Sequence, residues 1–175
     1  GWNVIKVVWG SGWDKLFEND REGLLLKRME ECVDGQYQDF KSKNGAYVRE
    51  HFFNSPELKA LVADLSDEQV WKLNRGGHDP FKVYAAYAAA VKHKDQPTVI
   101  LAKTVKGFGM GESGEGQMIA HQAKKMTADA LKQFRDRFDI PMPDDKIDAM
   151  PFLSLPKDSP EEKYLQERRV ALGGY

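Results

Sequence analysis

Apolar residues fall into two kinds of pattern along this chain. Residues 4–9, VIKVVW, form an almost continuous β-branched run. That is the pattern of a strand buried on both faces, as in a parallel sheet. Residues 98–105, TVILAKTV, repeat it after Pro97. Between the two runs the apolar positions recur at helical spacing. Ser11 is expected to cap a helix beginning near Trp13. Leu24, Leu25, Arg28, Met29 and Cys32 share one helix face, with Asp34-Gly35 as the stop. Phe40, Tyr47, Phe52 and Phe53 are expected as buried anchors of a helix-turn region broken at Asn44-Gly45.

Later helix starts carry explicit signals. Ser55-Pro56 and Asp79-Pro80 each place a capping residue before proline at the first helical position. Ser66 and Gln69 form a capping box. The alanine-rich segment after Asp79 sets Phe81, Tyr84, Ala88 and Val91 on one face. Thr127 is expected to cap a helix with Leu131, Phe134, Arg135 and Phe138 inward. Ser159-Pro160-Glu161-Glu162 starts a last helix by capping box and proline, running to about Leu172. The order strand, long helical crossover, strand, loop, helix predicts an α/β fold: a parallel sheet with a right-handed connection, mostly helical here. Two strands make a poor sheet alone, so this is expected to be part of a larger domain or to need a partner over its strands. The expected divisions are a main unit over 1–139, a Pro-rich linker over 140–160 and a C-terminal helix over 161–175.

The 175 residues carry 26 Lys+Arg against 27 Asp+Glu, a formal net charge of −1. No cation excess points to nucleic acid. The mean hydropathy of −0.60 and the lack of a long uncharged apolar run exclude a transmembrane helix on sequence grounds. The single cysteine, Cys32, cannot form an internal disulfide. No basic-then-apolar leader opens the chain, and the expected compartment is cytoplasmic.

In open parallel sheets, ligands bind beyond the carboxyl ends of the strands. The second run ends at Lys106, and the loop after it, KGFGMGESGEGQMIAHQ, is the most informative stretch. Gly107, Gly109, Gly111, Gly114 and Gly116 give it backbone freedom, so it is expected to be mobile unless a ligand orders it. It reads either as a surface connector or as a functional loop. Lys106 and His121, which flank it, favour function. Gly109, Gly111 and Gly114 fit G-x-G-x-x-G, but no strand follows with the acidic residue that a dinucleotide site needs. No Gly-Lys-Ser or Gly-Lys-Thr phosphate loop occurs.

Of the four histidines, His93 reads as exposed, His78 as part of the next helix cap and His51 as hydrogen-bonded in a buried turn. His121 lies on the loop, where a proton carrier could enter a site. Lys106 is either solvated or aimed into the crevice to neutralise an anion. Lys124 and Lys125 read as a solvated helix start. Trp2, Trp9, Trp13 and Trp71 read as core.

Four stretches carry a resemblance: DGQYQDFKSKNGAYVREHFF (34–53), LNRGGHDP (73–80), ILAKTVKGFGMG (100–111) and IAHQAKKM (119–126). Together with the terminal QERRVALGGY, they resemble the homodimeric, bacterial-type E1 component of the pyruvate dehydrogenase complex. The resemblance implies a transketolase-like, thiamine-diphosphate-dependent fold, with 1–139 the later part of the pyrophosphate-binding domain and 161–175 leading to the next domain. It implies thiamine diphosphate and Mg2+ as cofactors, with their ligands outside this chain, and no activity for the chain alone. The implied partners are a second subunit, pyruvate, and the E2 acetyltransferase with its lipoyl domain.

By resemblance, Lys106 matches a lysine near the substrate carboxylate. His121 matches a dynamic-loop histidine that serves reductive acetylation of the lipoyl group. Glu115 matches a charged residue that helps order the loop. Family members carry Tyr, Lys and Asn at the positions of Phe108, Gln117 and Met118, so the loop-ordering contacts differ here. Two other classes of function stand beside this one: a non-catalytic α/β scaffold or assembly module, and a dinucleotide-binding oxidoreductase domain.

Overall fold

The computed structural model describes residues 1–122 and 125–174, so the expectation for Lys124 lies outside the described residues. The chain forms two compact units, Gly1–Ala130 and Leu131–Tyr175.

In the first unit, β1 (Asn3–Val7) and β2 (Thr98–Ala102) pair in parallel, with Asn3 opposite Thr98 and Val7 opposite Ala102. The crossover between them is helical, as the spacing predicts. It comprises α1 (Asp14–Asn19), α2 (Leu24–Glu31), α3 (Asp34–Ser42), α4 (Gly45–His51), α5 (Pro56–Leu61), α6 (Asp67–Lys72) and α7 (Pro80–Lys92). The expected burial on both strand faces is not found. In β1, Ile5 and Val7 are sheltered while Val4 is 49% exposed, and Leu101 of β2 is 51% exposed. The physical reason is that the helical layer shelters part of the strand pair and leaves the rest open. The helix α7 packs on both strands; along β1 exposure alternates, marking a sheltered and an open face, while in β2 Leu101 and Ala102 are both exposed.

The core sits in the crossover, not around the sheet. Trp13, Leu25, Met29, Phe40, Val48, Phe52, Phe53, Leu58, Val62 and Val70 form one buried cluster. Phe53 stacks on Trp13 and meets Phe52 edge to face, with ring centroids 6.2 and 4.9 Å apart. Such offset aromatic pairs add to the stabilisation from area burial alone. At Gly45, α4 comes so close to α6 that a Cβ would lie 1.7 Å from the Asp67 carbonyl oxygen. The break at Asn44-Gly45 therefore has two causes: Asn44 caps α4 through the Tyr47 N–H, and only glycine fits beside α6.

The caps at Ser55, Ser66 and Asp79 form as expected. Several expectations need correction. Ser11 caps no helix: its N–H and Oγ–H both donate to Asp79 Oδ2. Asp34-Gly35 begins α3 instead of ending α2, because Val33 N–H bonds to the Gln36 side chain and sets up a new start. Trp2 is exposed, whereas Trp9 and Trp13 join the core region. On α7, Phe81, Tyr84 and Val91 face out, and the small side of the helix, including Ala86, is the buried one.

After the loop come α8 (Ala128–Arg137), capped by Thr127, and then a 3-10 stretch at Asp144–Ala149. In the second unit Arg135 bonds the Met142 carbonyl and pairs with Asp144. Ser159 caps α9 (Pro160–Ala171) through Glu162 N–H. The return bond to Glu162 Oε2 comes from Asp158 N–H, not from Ser159. Among the described residues no helix is long and apolar enough to cross a membrane.

Candidate functional site

The carboxyl end of the strand pair is built by two chain segments. One is the turn Asn74–His78, docked against both strands. Gly76 N–H bonds the Val8 carbonyl at 2.8 Å, and Gly77 N–H bonds the Lys103 carbonyl at 2.9 Å. A Cβ on Gly77 would stand 2.6 Å from that Lys103 oxygen, so this approach requires glycine. The turn delivers His78 to the end of β2. Val105 N–H donates to His78 Nε2 at 2.6 Å, and the imidazole stacks on Phe108 with centroids 3.8 Å apart and planes at 8°. His78 was expected in the cap of α7. Among the described residues that cap is supplied by the Asp79 carboxylate, through Phe81 and Lys82 N–H.

The second segment is the glycine-rich loop. Its ends are tied by Gly116 N–H to the Lys106 carbonyl, 2.8 Å. At its centre is the buried Glu115 carboxylate, which accepts from Gly109 N–H at 3.2 Å and Gly111 N–H at 3.3 Å. Positive φ values of 93° and 51° at these two glycines turn their amides inward. The buried Lys41 ammonium of α3 lies 3.6 Å from Glu115 and 3.8 Å from the centre of the Trp71 ring. The loop is thus organised by an internal ion pair and two amide–carboxylate bonds. This geometry argues against the dinucleotide reading. The Gly109 and Gly111 amides already hold a carboxylate that would repel a phosphate, and a short 3-10 turn, Gly111–Ser113, follows where an α-helix is required.

Lys106 and His121 are both exposed. The Lys106 ammonium is 3.9 Å from Met118 Sδ, and Met118 opens the 3-10 turn Met118–His121. The loop therefore folds back so that the turn bearing His121 starts beside Lys106. Among the described residues no carboxylate lies within ion-pair distance of Lys106. His93 is exposed as expected, against Gln96. His51 is corrected: its ring is exposed against Tyr47, and it is its carbonyl that accepts a bond, from Arg28.

Next to the loop anchor, Arg75 is buried over Trp9 and Tyr37, at 4.9 and 5.3 Å, and burial holds its guanidinium below the usual arginine range. Burial likewise pushes Tyr37 up to about 12. A small cavity of about 30 Å3 lies between Lys41 and Arg75. Among the described residues no group of three or more His, Cys, Asp or Glu side chains could hold a metal ion.

Two residues of this region escape a sequence reading. Lys41 looks like any charged helix residue. His78 reads as a capping residue because Asp79-Pro80 follows it. The paired glycines before His78 are the one local sign that its backbone approaches another strand closely.

No family model matches the chain. Among curated proteins, it is 61% identical over 175 residues to the pyruvate dehydrogenase E1 component of Cupriavidus necator, covering 100% of this chain and 20% of that protein. It is 56% identical over 176 residues to the protein of the same name from Escherichia coli K12, again covering 100% and 20%. It is 53% identical over 180 residues to that of Corynebacterium glutamicum, with the same shares. The chain spans about a fifth of the length of these relatives.

Proposed function

The chain is, along its whole length, a homologous segment of the pyruvate dehydrogenase E1 family, and from that premise we propose that it supplies the substrate-side loop of an oxidative pyruvate decarboxylase. In this reading residues 1–139 are the later part of a pyrophosphate-binding domain, 140–160 a linker, and 161–175 the lead into the next domain. The full-length protein is a cytoplasmic homodimer that passes an acetyl group to the lipoyl domain of an E2 acetyltransferase.

Thiamine diphosphate supplies the electron sink for loss of carbon dioxide from pyruvate. By the resemblance, the residues that hold the diphosphate and its magnesium ion belong to parts of the full-length protein other than this chain.

This chain's own residues have three tasks. Lys106, an exposed ammonium with no carboxylate partner among the described residues, attracts and orients the pyruvate carboxylate. An unpaired cation beyond a strand end retains its field for an incoming anion. The glycine-rich loop, held together by Glu115, shields the reacting centre from water. His121 gives a proton to the dithiolane sulfur as the acetyl group moves to the lipoyl arm.

The observation that carries this reading is the placement of Lys106 beyond the carboxyl end of β2, with the His121 turn folded back beside it. It is tested by Lys106→Gln in the full-length enzyme. The kcat/KM for pyruvate falls on the order of 10²-fold, as for loss of one preorganised electrostatic group. An unchanged kcat/KM would remove Lys106 from the site.

A further inference from the structure

We propose that His78 is the positioning residue for Lys106: its imidazole fixes the peptide at Val105 and so sets the direction in which Lys106 leaves the sheet. The functional part of this inference rests on the reading of Lys106 given above.

The need for such a residue follows from the hydrogen-bond ladder. Lys103 N–H donates to the Val7 carbonyl at 2.9 Å. A parallel ladder advances by two residues, so Val105 N–H would next meet the Trp9 carbonyl. By then β1 has turned away. The Val8 carbonyl accepts from Gly76, and Trp9 bridges Arg75. Val105 N–H is left without a strand partner at a half-buried position.

His78 Nε2 takes that place at 2.6 Å, which requires Nε2 to be the unprotonated ring nitrogen. The ring is itself held flat against Phe108, two residues beyond Lys106. The Lys106 carbonyl is fixed from the other side by Gly116 N–H. Among the described residues no ion pair steers the Lys106 side chain, which meets only the weak acceptor Met118 Sδ at 3.9 Å, so its backbone sets the direction in which the ammonium leaves.

The test uses the full-length protein. His78→Phe keeps a ring to stack on Phe108 and removes the acceptor; His78→Gln restores an acceptor without the ring. Amide exchange is read at Val105, and kcat/KM for pyruvate is measured for each variant in the parent and in the Lys106→Gln background. The expected result is exchange at Val105 about tenfold faster in His78→Phe, the worth of one net hydrogen bond, with most protection regained in His78→Gln. Turnover follows the same order in the parent, and His78→Phe causes no further loss once Lys106 is Gln.

Unchanged exchange at Val105 in His78→Phe overturns the proposal. So does an equal fold-loss of turnover in both backgrounds. If Lys106→Gln alone leaves turnover at the parental rate, the functional reading of Lys106 fails separately. The exchange measurement by itself then upholds or overturns the His78 contact.

Discussion

One carboxylate, Asp79, joins the turn after β1 to the start of α7. Its Oδ1 accepts from Phe81 and Lys82 N–H, and its Oδ2 from both the N–H and the hydroxyl of Ser11. Burial raises its pKa, but the bonds from Ser11 and from the α7 amides outweigh this and hold it below the ordinary aspartate value. A depressed folded pKa means that the unfolded chain binds the proton more readily. The resulting stabilisation is present above about pH 3.9 and is lost as pH falls through the lower folded value. Asp79→Ala should therefore cost about 1–2 kcal/mol at neutral pH. Urea unfolding at neutral and acid pH should show that difference shrink on acidification.

Glu115 is a costlier residue to lose. Glu115→Ala removes the carboxylate that faces the buried Lys41 ammonium and accepts from Gly109 and Gly111 N–H, at an expected cost of about 3 kcal/mol in guanidinium unfolding. The double variant Lys41→Met/Glu115→Ala should lose less than the sum of the two single changes, because the two side chains face each other at 3.6 Å and both changes remove the same contact. Simple additivity would mean that the pair is not coupled.

Among the elements, those whose signals are local were legible in the sequence. Ser55, Ser66 and Asp79 cap their helices because capping depends on residues three apart, and the β-branched runs became the two paired strands. Elements whose outcome depends on distant packing were not legible. Asp34-Gly35 is a sound helix stop by composition, yet the chain continues into α3 because Gln36 closes the start. The aromatic stripe of α7 looks like a core face. The strands instead take the alanine side, where a small-residue surface lets the helix approach closely.

Phe81, Tyr84, Tyr87 and Val91 are left exposed as a result. A contiguous apolar patch of this kind drives association. Phe81→Lys with Tyr84→Lys should lower self-association of the 175-residue chain in sedimentation velocity. Its stability should change by no more than about 0.5 kcal/mol per site, as for surface positions. Loss of folding in that variant would show that the stripe is structural within the chain itself.

For the molecule as a whole, the most legible part of the candidate site is the course of the loop that carries Lys106 and His121. The least legible was what holds it. The glycines announce freedom, but the Lys41–Glu115 pair and the His78 contact join residues 74 and 27 positions apart, and no local pattern encodes such pairings. The open face of β1 and β2 and the exposed side of α7 accord with a segment that makes up about a fifth of its relatives' length. In the proposed enzyme those surfaces meet the rest of the protein.

The most direct test of the proposed role is His121→Ala in the full-length enzyme. Acetylation of the E2 lipoyl domain is measured beside pyruvate decarboxylation with an artificial electron acceptor. Loss of a positioned proton donor predicts lipoyl acetylation slower by about 10²–10⁴-fold, with decarboxylation largely retained. Acetylation at the parental rate would contradict the assignment of His121 and, with it, the account of the loop.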